Sequence, residues 1–324
     1  MTASPLVAPF PYFGGKRRAA PLIWAALGDP AGYVEPFAGS AAVLLARPPF
    51  TGRRVETIND LDGWLVNMWR AIQHRPADTA RHADIPVTEI DYHARLAWLQ
   101  ERRNDGLVSW LEGDPEACDA KAAGYWLYVM ACGIGDPFAA GPWRVIDGRL
   151  TKTGTSPGGI NRKLPHLGDA GRGINRETDL DHYLTRLSHR LRNARITCGP
   201  WHRVTTPSVT RAGTGGDGAR AVLLDPPYTT SGYLYASRDD AGDLSTAARE
   251  WALGADPDLR IVICGYEDEH DQLLAHGWQK RHGRSGRGGG YRNDLSGRRE
   301  RLWISPSCHG VTHHQHGLFE DTTL

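Results

Sequence analysis

The hydrophobic pattern has a strand-and-helix rhythm at both ends of the chain and a helical one in its middle. Between residues 33 and 72 it reads as a β-α-β-α unit. "GYVEPF" has the length and composition of a short strand, and "GSAAVLLAR" carries apolar residues at helical spacing. "RRVETIND" is a second strand and "GWLVNMWRAIQ" a second helix. From Ala221 the rhythm returns. "RAVLLD" and "LRIVICG" are unbroken β-rich runs, as in parallel strands covered on both faces. Helices are expected at about 244–253 and 267–276. "WQKRHG" and "RRERLWIS" read as two closing strands joined by a long Gly/Arg loop. Strands alternating with helices predict an α/β fold with an open, doubly wound sheet.

The middle follows another rule. "IDYHARLAWLQERR", "CDAKAAGYWLYVMAC" and "TDLDHYLTRLSHRL" all space their apolar residues as helices do. Between the last two lies a Gly-rich stretch, "GIGDPFAAGPW" to "TKTGTSPGGINRKLPHLGDAGRGIN", too long for an ordinary connection. The expected organisation is a discontinuous core, residues 1–74 and 194–306, around a mostly helical insertion at 75–193. Residues 307–324 read as a disordered tail whose four histidines have no fixed partners, and no metal site is expected. There is no internal repeat.

Composition narrows the class. The 324 residues are 40% hydrophobic and 23% charged, as in a soluble globular protein with one large domain and an insertion. No stretch approaches the roughly 20 apolar residues that cross a bilayer, and the N-terminus has no signal-peptide pattern. No membrane association is expected. Five cysteines without a CxxC pair fit reduced thiols in a cytoplasm. The net charge of +1 is silent about nucleic acid, but its distribution is not. Residues 143–203 hold twelve Lys/Arg against five Asp/Glu, and 279–301 hold eight against two, whereas 78–119 hold four against ten. Such asymmetry suits a phosphate-facing surface, with solvated arginine loops as the plainer reading. Arg162, Lys163, Arg172, Arg284, Arg287 and Arg292 are the candidate DNA contacts, and the insert at 125–175 the candidate source of base contacts.

Four short motifs carry chemistry. "VEPFAGS" places Glu35, Phe37 and Gly39 between a strand and a helix, where glycine lets a ligand approach the backbone. Asp60, ending the second strand in "TINDLD", is placed to accept hydrogen bonds from a ribose, or to cap the next helix, a role Asp62 could equally fill. In "PYFGGK", Gly14, Gly15 and Lys16 at the mouth of a helix suit an anionic group such as a carboxylate. No GxxxxGK[ST] spacing occurs, which disfavours nucleotide hydrolysis. A ligand with a ribose and a carboxylate but no phosphates fits S-adenosyl-L-methionine, not NAD or ATP. "DPPY", Asp225–Tyr228, then ends a buried strand where neither proline can continue the ladder. An exocyclic amino group of a nucleobase is a poor nucleophile until acceptors draw on its protons. Asp225 offers a carboxylate, Pro226 a carbonyl stiffened by Pro227, and Tyr228 a ring on which a flipped base can stack.

"YFGGK", "VEPFAGS", "NDLD" and "LLDPPY", in that order, resemble the Dam-type (D12 class, alpha-group) DNA adenine-N6 methyltransferases, and "RRERLWIS" is similar to their final core strand. The resemblance covers both ends of the chain, about 170 residues, and implies a Rossmann-like methyltransferase sheet with a helical target-recognition insertion. It further implies S-adenosyl-L-methionine as donor and adenine in double-stranded DNA as acceptor, with no obligate protein partner in view. It assigns Tyr12, Lys16 and Asp60 to the cofactor, Phe37 and Gly39 to its pocket floor, and Asp225, Pro226 and Tyr228 to catalysis. Two departures stand out: Ala41 where the family often has a second glycine, and Tyr12 where it commonly has tryptophan. N4 of cytosine carries the same kind of amino group, and a catalytically silent DNA-binding module is the alternative outside enzymology.

Overall fold

The computed structural model describes residues 6–10, 12, 14–102, 106–113, 117–133, 138, 143–146, 149–152, 179–211, 216–227, 241–283 and 299–309. In chain order the elements are α1 (Ala20–Leu27), β1 (Gly32–Glu35), α2 (Ala42–Leu45), β2 (Val55–Asp60), α3 (Gly63–His74), α4 (Pro76–Ala83), α5 (Glu89–Arg102), α6 (Leu107–Gly113) and α7 (Ala120–Cys132). There follow β3 (Trp143–Ile146), β4 (Arg149–Lys152), α8 (Leu180–Leu191), β5 (Ala194–Cys198), α9 (Pro207–Thr210), β6 (Arg220–Leu224), α10 (Ala241–Gly254), β7 (Arg260–Tyr266), β8 (Gln279–His282) and β9 (Glu300–Ile304).

Seven strands form one sheet in the order β5-β2-β1-β6-β7-β9-β8. Neighbours run parallel as far as β7, and β9 lies antiparallel between β7 and β8. This is the expected doubly wound, Rossmann-like sheet. Its central strands are apolar on both sides because both sides are covered. Tyr33, Ile58, Leu223, Val262 and Leu302 share one apolar cluster with α1, α3, α7 and α8. Val34, Val222, Leu224, Ile261 and Trp303 share another with α10 and Val204. The outer strand β8, "QKRH", is polar and half exposed, which suits an unpaired edge.

Local chemistry explains where elements begin. Asp62 caps α3 by accepting the Trp64 N–H at 2.9 Å, and Asp119 caps α7 by accepting that of Ala122 at 2.8 Å. Asp179 does the same for α8. Charge ties the layers together. Glu56 on β2 is 2% exposed and receives Arg47 from the end of α2 at 3.0 Å and Arg190 from α8 at 2.6 Å. Arg47 also reaches Asp29 at 3.0 Å.

Three features differ from expectation. The helix expected at 267–276 is a single 3₁₀ stretch, Asp271–His276, bracketed by positive φ at Glu267 (45°) and Gly277 (79°). The strand β5, "ARITC", has one large aliphatic residue, Ile196, and lies at the sheet edge, so it lacks the apolar run that marks its neighbours. The hairpin β3–β4 falls inside the stretch read as a Gly-rich loop. The helices of the middle pack into the same cluster as the sheet, with Trp126 of α7 edge-on to Phe10 at 4.9 Å.

Candidate active site

The strand order reverses direction between β1 and β6, and in open α/β sheets the carboxyl ends of the strands at such a switch point are where a ligand crevice is expected. Motifs distant in the chain meet there. β1 runs into Pro36–Ser40, β2 ends at Asp60, and β6 runs into Asp225–Pro227.

The turn after β1 is fixed from three directions. Asn59 donates to the Pro36 carbonyl at 3.0 Å and to that of Gly199 at 2.9 Å, tying β1, β2 and the end of β5 together. Trp69 of α3 donates to the Gly39 carbonyl at 3.0 Å. Asp60 Oδ2 accepts the Gly39 N–H at 2.9 Å, and Oδ1 accepts that of Asp62 at 3.0 Å. Asp60 therefore braces the turn, while Asp62 is the helix cap. Burial pushes the Asp60 carboxyl up to about 6, against these backbone N–H groups. Gly39 has φ +49°, and a Cβ there would stand 2.6 Å from the Tyr12 ring, so glycine is needed on two counts. Ala41 adopts φ +47° without that freedom, at the position where the family often has glycine.

The N-terminal loop lies across this turn. Tyr12 packs on Gly39, and Gly15 lies against Ser40. Gly14 turns the chain at φ +75°, and its carbonyl accepts from Lys16 Nζ at 2.5 Å. Lys16 then reaches the other motif: its ammonium stands 2.8 Å from Asp225 Oδ2 and 3.1 Å from Glu300 Oε1 on β9. Burial alone would favour the neutral amine, but Asp225 and Glu300 outweigh it and hold the pKa well above the usual lysine value. Beneath them Cys264 is fully buried, and that burial, with Asp225 nearby, pushes its thiol far from the thiolate form.

Glu35 ends β1 just before the turn. It is 2% exposed, accepts the Tyr33 hydroxyl at 2.6 Å, and is pushed up to about 8, chiefly by burial. Pro226 and Pro227 are buried behind Asp225. Tyr228, Arg162, Lys163, Arg172, Arg284, Arg287 and Arg292 lie outside the described residues, as do 153–178 of the insert and 310–324 of the tail. Glu300, Asn59 and Trp201 escaped the sequence reading. Trp201, just beyond β5, faces Phe37 with ring centroids 5.7 Å apart and planes tilted by 31°. The signal for Glu300 was one acid in a run of arginines; for Trp201, an aromatic after the Gly-Pro that ends a strand. Among the described residues no His, Cys, Asp or Glu group is arranged to hold a metal, and the five cysteines are free thiols. No described helix is long and apolar enough to cross a membrane.

Residues 12–92 match the family of D12 class N6 adenine-specific DNA methyltransferases. Over this segment the chain is similar to that family. The D12 segment takes in the N-terminal loop, the turn after β1 and Asp60, and it ends within α5. Asp225 lies outside the matched stretch, and the fold brings it back to the segment through Lys16. The seven-stranded sheet is consistent with a Rossmann-like methyltransferase fold, and the matched family is named for methylation of adenine in DNA. No curated protein matches the chain at a significant level.

Proposed function

We propose that this D12 protein transfers a methyl group from S-adenosyl-L-methionine to the N6 amino group of an adenine flipped out of double-stranded DNA. The observation that carries the reading is the Lys16–Asp225 ion pair, which joins the N-terminal D12 segment to the "DPPY" strand end at the sheet's switch point. The described residues fit the donor. Asp60 ends β2 at the crevice, where its carboxylate, held by the Gly39 and Asp62 N–H groups, is placed to accept from a ribose hydroxyl. Phe37 and Trp201 form a half-buried aromatic shelf suited to a purine face. Bound there, the donor supplies a methyl group on a cationic sulfur with a good leaving group.

The chain's own residues prepare the acceptor. Asp225 accepts one amino proton, and the Pro226 carbonyl, stiffened by Pro227, accepts the other. Both bonds strengthen as positive charge grows on nitrogen, which stabilises the transition state more than the ground state. Lys16 holds the Asp225 carboxylate in place, Glu35 props the turn from below, and Tyr228 stacks on the base. Gly14 and Gly15 shape the loop that closes over Gly39. The core at 1–74 and 194–306 carries this chemistry, and the insertion at 75–193, with Arg162, Lys163, Arg172 and the Arg284–Arg292 loop, holds and reads the duplex. The cytoplasm is the compartment that suits this reaction.

Incubation with tritiated S-adenosyl-L-methionine and unmethylated DNA tests the reading: label should appear as N6-methyladenine. Donor binding without transfer would instead identify a silent DNA-binding module, and label in N4-methylcytosine would change the acceptor. Long-read sequencing of DNA from expressing cells gives base and motif together.

A further inference from the structure

The face of the sheet that packs on α10 changes character towards its β5 edge. On β1, β6 and β7 it is apolar, with Val34, Val222, Leu224 and Ile261 in one cluster. In the next strand Thr57 takes the register position beside Val34. There the face turns polar: Thr57 of β2 pairs with Arg195 of β5, and Asn59 with Thr197. Strand alternation puts these four side chains on one side. The elements that follow β5 are short, a 3₁₀ turn at Trp201–Arg203 and the four-residue α9. A cavity of about 130 Å³ lies there, lined by Thr57, Thr197, Arg195, Arg203, Val204 and Val209.

The two guanidinium groups of this lining come from different elements, and each is already braced. Arg195 Nε donates to the Thr57 hydroxyl at 3.0 Å. Arg203 Nη1 donates to the Cys198 carbonyl at 2.7 Å and lies against Gly199, where a Cβ would stand 2.6 Å from it. Among the described residues Arg195 has no carboxylate partner. Arg203 has Glu112 at 3.7 Å, with both side chains more than half exposed, and such a pair contributes little. Thr57 is 1% exposed. Its oxygen is taken by Arg195, and its own proton has no acceptor among the described residues. Thr197 spends its proton on Asn59 and the Ile58 carbonyl. The lining therefore presents two cationic forks and one hydroxyl donor.

We propose that this cavity is an oxyanion site and that its ligand is a phosphate group. Arginine forks match phosphate oxygens two at a time, and charge-assisted bonds of this kind are the stronger ones. A phosphate has oxygens enough to take both forks and the Thr57 hydroxyl together, whereas a carboxylate has two. The volume is well below the roughly 300–1,000 Å³ of pockets for larger organic ligands. The group is thus a free anion or the protruding phosphate of a longer molecule, a nucleic-acid backbone. Because both arginines are braced beforehand, little side-chain freedom is lost on binding. The cavity shares no residue with Lys16, Asp60 or Asp225, and the inference does not depend on the reaction proposed above.

Inorganic phosphate titrated into the full chain by calorimetry, with ionic strength held constant by chloride, tests the site. One saturable site is expected, and acetate should bind more weakly. Arg195→Gln and Arg203→Gln, both at exposed positions, should each weaken phosphate about ten-fold. Arg192→Gln removes an exposed charge just before β5, outside the cavity lining, and should leave binding nearly unchanged. A short DNA duplex without terminal phosphates separates the two sources. Displacement of phosphate by the duplex, with a salt slope about one unit lower in Arg195→Gln, identifies a backbone phosphate. Phosphate still bound beside excess duplex identifies a free anion, and the site stands in both cases. No saturable phosphate binding to wild type, an equal loss in all three variants, or acetate as tight as phosphate would overturn the proposal. Arg195 and Arg203 would then be solvated charges at a sheet edge.

Discussion

Gly39 is the residue on which the turn after β1 depends most directly. Its φ of +49° and the 2.6 Å approach of a would-be Cβ to Tyr12 act together. Gly39→Ala should therefore cost about 2–3 kcal/mol, from left-handed backbone strain plus displacement of the tyrosine ring. Denaturant unfolding measures it, and a loss below about 0.5 kcal/mol would mean the turn relaxes freely. Asp225→Ala belongs to the same scale with a different outcome. Methyl transfer should fall by about a thousandfold or more, while the protein still folds, because Glu300 and Gly14 still hold Lys16. Near-wild-type turnover in that variant would remove Asp225 from the chemistry. The residue types were legible in the sequence here, but their partners were not. Lys16 reads as an anion-binding lysine beside two glycines, and nothing in its neighbourhood points to an aspartate and a glutamate at the far end of the chain.

At the scale of elements, the layer over β2 is held by charge as well as by apolar contact. Glu56 lies between Arg47 and Arg190, so one carboxylate joins the end of α2 to α8 across β2. Glu56→Gln leaves the buried Arg47 without one of its two anions, and Arg190 without its carboxylate, and a loss of about 3–5 kcal/mol is expected from thermal or denaturant unfolding. A near-neutral result would show that Asp29 alone satisfies Arg47. The strands of the sheet's middle were visible because their apolar runs serve two covered faces. β5 was not, because an edge strand needs no such run. The stretch 267–276 has helical spacing, but positive φ at Glu267 and Gly277 confines it to a short 3₁₀ stretch, Asp271–His276. Backbone geometry there overrides periodicity.

For the molecule as a whole, buried ionisable groups set how stability follows pH. The Glu35 carboxyl moves from an ordinary 4.5 to about 8 on folding, and Asp60 from 3.8 to about 6. Their contributions are fully present below the unfolded values and are lost as pH rises through the folded ones. His270 works in the opposite direction: burial lowers it from 6.5 to about 4, so its contribution is lost as pH falls through that range. Glu35→Gln should consequently gain on wild type in melting temperature between about pH 5 and pH 8.5, and a constant difference across that range would refute the assignment. The second prediction at this scale concerns DNA. Neutralising Arg162, Lys163 and Arg172, or Arg284, Arg287 and Arg292, should weaken binding and lower the salt slope by about one per phosphate contact removed. An unchanged slope would mean these charges face away from the duplex.

The sequence by itself determined the parts: which runs are strands, where glycine and proline end them, and that an acid with two prolines closes one of them. These are local matters, governed by side-chain periodicity and by the few residues able to take or refuse particular backbone angles. Only the tertiary structure decided which ends meet. Strand order, the antiparallel seat of β9 and the joining of Lys16 to Asp225 and Glu300 depend on packing both faces of one sheet. That requirement couples residues from opposite ends of the chain and leaves no periodic trace around any of them.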